Sequence, residues 1–145
     1  MKYTFTYKTT IEAPIDDVWD FFSTAENLAK ITSFPKIKIE SDPRTMQGNE
    51  IVMSLGFSLI RMKWISLIED VEAPLLFVDK GLVMPFPFTY WKHKHAFERY
   101  EDRPDKTLMT DSLVVEAYLP EKLIHLFLNQ MFKGREKALK EVFHS

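Results

Sequence analysis

Tyr3, Phe5, Tyr7, Thr9 and Ile11 alternate with Lys2, Thr4, Thr6, Lys8 and Thr10, the period-two pattern of a half-buried β-strand. Pro14 stops pairing. From Ile15 the apolar positions Ile15, Val18, Trp19 and Phe22 follow helical spacing, with Asp16 and Asp17 in the first turn, where the helix dipole favours them. A second short helix is predicted over residues 25–31, capped by Ser23 or Thr24. After Phe34 and Pro35 the alternation returns at Ile37 and Ile39, passes a turn at 43–49, and resumes through Ile51, Val52, Met53 and Leu55, with Gly56 a place to bend or end. Further strands are predicted at 59–71, 75–80, 88–100 and 107–118, the last two joined by a DRPD hairpin turn at 102–105. Pro120 and Glu121 then open a helix running to about residue 143, roughly 34 Å long at 1.5 Å per residue. Its apolar stripe is Ile124, Phe127, Leu128, Met131, Ala138, Leu139 and Val142, interrupted by Arg135. Lys133, Arg135, Lys137 and Lys140 gather toward its C-terminal end, as the dipole prefers.

One strand departs from the ordinary pattern. In WKHKHAFERYE, residues 91–101, the side chains of Trp91, His93, His95 and Phe97 share one face, while Tyr90, Lys92, Lys94, Ala96 and Glu98 point the other way. The lysine face reads as solvent. The opposite face holds two imidazoles between two large aromatic rings, too polar for an ordinary core and too apolar for an ordinary surface, which suits the wall of an internal cavity. An antiparallel sheet of this length must curl, and the one long amphipathic helix is the element able to fill its concave side. The space left between them is where a ligand would sit.

Composition narrows the function classes. At 145 residues the chain is long enough for one domain with a substantial core, so residues 1–145 are read as a single domain. Nineteen basic against 21 acidic residues, with no basic run, give nucleic-acid binding little electrostatic support. The absence of cysteine excludes disulfides, thiolate nucleophiles and Cys-based zinc sites. The N-terminal residues alternate and lack the continuous apolar core of a secretion signal, and no uncharged run approaches the roughly 20 residues that span a bilayer. A cytoplasmic protein without stable membrane insertion is expected.

The candidate chemistry lies on three elements. Asp111 lies on the apolar face of its strand with Met109, Leu113, Val115 and Ala117, where a carboxylate needs a partner such as an imidazole or an arginine. Paired with His93 or His95, it would fix a tautomer and leave a proton donor facing the cavity. Arg135 is open to two readings: a fork aimed at a ligand carboxylate or phosphate, or a tie from the helix to the rim or to an acidic residue of the sheet. The expected ligand-binding set is Trp91, His93, His95, Phe97, Asp111 and Leu113 from the sheet, with Phe127, Met131 and Arg135 from the helix. Two imidazoles and one carboxylate are too few for a retained ion, and His125 and His144 lie far along the chain, so neither metal nor cofactor is expected. The apolar segment GLVMPFPFTYW, residues 81–91, reads as a pocket gate, a membrane-touching tip, or a loop folded onto the core. There is no GxSxG elbow, phosphate loop or HExxH, so His93, His95 and Asp111 are the one set left for acid–base catalysis.

Thr9 to Pro14 followed by Ile15, Val18, Trp19, Phe21 and Phe22 resembles the first strand and helix of the START/Bet v 1-like (SRPBCC) superfamily. Trp91, His93, His95 and Phe97, then Thr107 and Asp111, then Pro120, and Phe132 with Arg135 and Leu139, resemble more narrowly a bacterial ligand-binding branch with a WxHxHxF strand. The resemblance implies an α+β helix-grip fold: a curved antiparallel β-sheet wrapped around a long C-terminal α-helix, with two short helices after the first strand. It implies as partner a small hydrophobic or amphipathic molecule held between sheet and helix. Two alternatives share that scaffold: a cyclase or dehydratase using a His–Asp acid–base pair, and an interaction module resembling Hsp90-ATPase activators.

Overall fold

The alternation at the N-terminus becomes strand β1 (Tyr3–Ile11), which pairs antiparallel with the last strand of the chain rather than with its sequence neighbour. A computed structural model describes residues 2–143; His144 lies outside them. Between β1 and the rest of the sheet come α1 (Ile15–Phe22) and α2 (Ala25–Lys30), then β2 (Lys36–Ile39), β3 (Glu50–Phe57), β4 (Ile60–Glu72), β5 (Leu76–Val83), β6 (Phe88–Tyr100), β7 (Arg103–Ala117) and α3 (Glu121–Val142). They form one seven-stranded sheet in the order β1-β7-β6-β5-β4-β3-β2, every pairing antiparallel. Thr24 caps α2, its Oγ1 accepting from the Glu26 N–H. The sheet curls into a half-barrel around α3, and irregular registers in the β4/β5 and β6/β7 ladders help it bend.

Several boundaries differ from the pattern-based expectation. β5 runs on through Gly81 to Val83, so the expected long apolar loop shrinks to residues 84–87. The hairpin between β6 and β7 turns at Glu101 and Asp102, and β7 already begins at Arg103, before Pro104. Proline is tolerated there because this end of β7 extends past β1, whose pairing starts only at Thr107, so no ladder needs an N–H on that side. Val142 is exposed, outside the buried stripe of α3.

Burial follows the alternation: Trp91, His93, His95 and Phe97 are buried on the concave face, while Lys94 on the convex face is exposed and Lys92 pairs with Glu69 at 2.9 Å. The apolar core has two main parts. One, beneath α1, gathers Ile15, Val18 and Phe22 with Ile11, Phe77, Phe97, Met109 and Leu139. The other, beneath the first half of α3, gathers Phe5, Leu55, Trp64, Trp91, Leu113, Val115, Ile124, Leu128 and Phe132. Between the two parts lie polar side chains from four elements: Asp79 on β5, His93 and His95 on β6, Asp111 on β7 and Arg135 on α3. No helix among the described residues is long and apolar enough to cross a membrane.

Candidate functional site

The polar crossing is built by three neighbouring strands whose side chains alternate in step. In the ladders Asp79 stands opposite His93, and His95 opposite both Phe77 and Asp111. The hydrogen bonds run diagonally instead. His93 Nε2 meets Asp111 Oδ1 at 2.7 Å, and His95 Nε2 meets Asp79 Oδ2 at 2.7 Å. The directly opposed pairs are looser, with His95 Nδ1 at 3.5 Å from Asp111 Oδ1 and His93 Nδ1 at 4.0 Å from Asp79 Oδ2. Diagonal partners on one sheet face are within reach of side chains this long. The crossed pairing holds the imidazoles face to face, centroids 3.6 Å apart, and Phe77 stacks on the far side of His95 at 4.0 Å.

His95 is fully buried and Asp111 nearly so, whereas 13% of the Asp79 side chain stays exposed, toward the cavity it lines. Burial pushes the Asp79 carboxyl up, but the hydrogen bond from His95 and the electrostatic pull of the surrounding basic side chains outweigh it, and the group settles below the ordinary carboxylate range. Burial and the neighbouring His93 hold His95 below the ordinary imidazole range, against the pull of Asp79 and Asp111. Neutral His95 then has one N–H for two carboxylates. With that proton on Nε2, serving Asp79, the buried Nδ1 has no hydrogen-bond partner among the described residues.

Arg135 enters from α3. It does not snorkel to the rim, and among the described residues it pairs directly with no carboxylate. It is buried, its Nε donates to Thr32 Oγ1 at 2.8 Å, and its guanidinium carbon lies 5.1 Å from the Phe132 ring centroid. Burial lowers its pKa, and Asp111 and Asp79 offset only part of that.

Above this layer lies a cavity of about 90 Å³ between the sheet and α3. Trp91, His93, Phe127, Met131 and Arg135 line it, as do Trp64, Ser66, Asp79 and Phe88. A smaller cavity of about 40 Å³ lies beside it, with Leu28, Met53, Ser66 and Asp79 on the lining of both. Four residues expected in the wall are elsewhere. Phe97 belongs to the core beneath α1, packed on Trp19, Phe22 and Phe77, because the curl of the sheet carries that end of β6 past the cavity. Leu113 is sealed under Leu128 and Phe132, and His95 and Asp111 lie one layer behind His93. Asp79 escaped the sequence reading, although Phe77 and Asp79 are spaced by two in LLFVDK, the same signal that marks His93 and His95.

No family model and no curated protein matches this sequence. Solved structures do match over nearly the whole chain. The protein XoxI from Bacillus cereus superposes with a TM-score of 0.73 at 17% identity, over 97% of this chain and 94% of that one. The ZhuI aromatase/cyclase from Streptomyces sp. R1128 gives 0.74 at 13% identity, over 96% and 92%. Truncated norcoclaurine synthase from Thalictrum flavum gives 0.71 at 15% identity, over 100% and 96%. The chain has the Bet v 1-like helix-grip fold. At these identities the likeness is one of fold, and the narrower match to a WxHxHxF branch rests on the sequence alone. In this structure the cavity lies between the curved sheet and the C-terminal helix, and the His–Asp layer forms its floor.

Proposed function

We propose that this protein binds a small, largely apolar molecule in the cavity between the sheet and α3, with the polar end of that molecule on Asp79, His93, Ser66 and Arg135. The observation that carries the reading is the one-sided distribution of polar groups. Trp64, Phe88, Trp91, Phe127 and Met131 make an apolar wall, and the polar side chains converge at one end, the arrangement that fixes an amphipathic ligand by apolar burial and orients it by a few hydrogen bonds. The Bet v 1-like fold supports it, since the solved structures sharing this frame include a cyclase and a synthase, proteins whose names imply small-molecule substrates.

Binding of an apolar fluorophore such as anilinonaphthalene sulfonate tests the reading, alongside native mass spectrometry of the purified protein for a retained molecule. A single saturable site is expected, abolished by Met131→Trp, which fills the cavity from α3, and weakened by Trp91→Ala by about 1–3 kcal/mol, the worth of a large buried side chain. Phe97→Ala, outside the wall, should lower stability and leave affinity unchanged. Unaltered binding in Met131→Trp sinks the assignment.

A second reading has its own observation. His93 borders the cavity while its Nε2 is held by Asp111, so that its Nδ1 is free to take a proton from a bound molecule. An enzyme of cyclase or dehydratase type would then lose turnover by roughly 10²–10⁴ in His93→Gln with ligand affinity kept.

A further inference from the structure

The pairing of the two imidazoles leaves a chemical deficit that ligand binding does not explain. His95 has one proton to place between two carboxylates. On Nε2 it serves Asp79 and turns the Nδ1 lone pair toward Asp111 Oδ1 at 3.5 Å, acceptor against acceptor, in a fully buried position. On Nδ1 it serves Asp111 and turns the Nε2 lone pair on Asp79 at 2.7 Å, with the same conflict on the other side. A cation beside Asp79 and the Nε2 lone pair resolves both conflicts at once, because the single proton can then sit on Nδ1 and serve Asp111. His93 supplies the complement: with its own N–H on Nε2, donated to Asp111, its Nδ1 lone pair faces the same side, 4.0 Å from Asp79 Oδ2.

From this geometry we propose that Asp79, His93 and His95 form a binding site for a divalent first-row transition-metal ion at the floor of the cavity. The three donor atoms lie within 4.8 Å of one another. Two imidazoles and one carboxylate suit zinc, iron(II), cobalt(II) or nickel(II), whereas magnesium and calcium take all-oxygen sets. Asp111 becomes the outer carboxylate, accepting from His93 Nε2–H and from His95 Nδ1–H, so one residue orients both ligating rings and the orphaned nitrogen gains its partner. The expectation of no metal counted Asp111 as the one carboxylate; Asp79 alters that count. It places the carboxylate ligand on the cavity side and frees Asp111 for the outer position. Local charge agrees, since Asp79 and Asp111 exceed Arg135 by one negative charge when the imidazoles are neutral. Stacked at 3.6 Å and 24°, the two rings aim their lone pairs almost in parallel, so one must tilt for both to reach one ion. His95 is clamped by Phe77, so His93, which borders the cavity, is the ring that tilts, and the remaining coordination positions open into the cavity.

The site stands whether or not the cavity takes an organic molecule. Its test uses the full chain, stripped with chelator, and Zn²⁺ or Co²⁺ alone, offered to the folded protein and also during refolding so that access to a buried site does not limit uptake. One equivalent of Zn²⁺ should bind at submicromolar Kd and raise Tm by several degrees. Co²⁺ should give the intense visible absorption of a four- or five-coordinate site. Asp79→Asn and His95→Gln should each weaken Zn²⁺ at least 100-fold and abolish the cobalt bands, and Asp111→Asn should weaken it 10–100-fold with the bands shifted, as loss of an outer partner does. His125→Gln, remote on α3, should change nothing. Circular dichroism establishes that each variant is folded; where one is not, the cobalt spectrum of the unmodified chain decides. No stoichiometric uptake by either route, pale octahedral cobalt bands, or uptake lost in His125→Gln but kept in Asp79→Asn overturns the proposal.

Discussion

Asp111 is a carboxylate inside a core, and what that costs is measurable. Asp111→Leu leaves His93 Nε2–H buried without its acceptor, which should lower stability by about 1–3 kcal/mol in urea unfolding. Adding His93→Leu removes the orphaned donor as well, and the double variant should regain most of that loss, because an apolar pair of similar size is close to neutral where a half-removed polar pair is not. Such recovery would mark the polar layer as kept for function. Tyr7 gives a separate, pH-dependent signature. Burial, then the hydrogen bond to Glu136 at 2.6 Å and its charge, push the phenol from 10.0 up to about 12. A raised folded-state pKa adds stability that is complete below pH 10 and lost as pH rises toward 12, so Tyr7→Phe should flatten the fall in stability across that alkaline window. The alternation in 91–97 made His93 and His95 legible as an inward pair, and the apolar face around Asp111 showed that it needed a partner. Asp79 went unseen because LLFVDK reads as an ordinary short strand. Only the ladder register brings it opposite His93.

Among the elements, the strands and helices with strong periodicity were legible to within a few residues. β6 matched its expected range, and α2 is capped by one of the two residues proposed for it. What failed did so where tertiary context overrides local signals. Pro104 looked like a turn residue because nothing in the sequence says that β1 stops short of it, and β5 runs through Gly81 despite the weak strand propensity of glycine. Gly134 shows the same tension within α3. A Cβ built there would meet Ser33 Oγ at 3.6 Å, an ordinary contact, so nothing in the packing demands glycine. Gly134→Ala should therefore stabilise the protein by about 0.5–1 kcal/mol through helix propensity, read as a raised Tm with an unchanged denaturant slope. The sequence also marked Arg135 as a break in an apolar stripe without showing what it faces, since Thr32 is far away in the chain and the curl of the sheet is what brings the polar layer beneath the helix.

For the whole molecule, the curl of one sheet around one helix could be inferred from element order, but the volume left between them could not. That volume is small, about 90 Å³, where pockets for drug-sized ligands run to roughly 300–1,000 Å³. Leu28 and Met53 stand between it and its neighbour of about 40 Å³, and both are unbranched or γ-branched side chains that can change rotamer without moving the backbone. If those side chains swing aside the two spaces join, and a molecule larger than a few heavy atoms is expected to enter by that route. Capture is then a race between diffusion and the protein's own opening. In stopped-flow mixing the observed rate should climb with ligand concentration and then level off at the opening rate. Met53→Ala, by holding the passage open, should move that plateau upward while changing the escape rate of the bound molecule in the same direction. A cavity loaded this way would trade speed of loading for long residence, with one side chain at the partition setting where that balance falls.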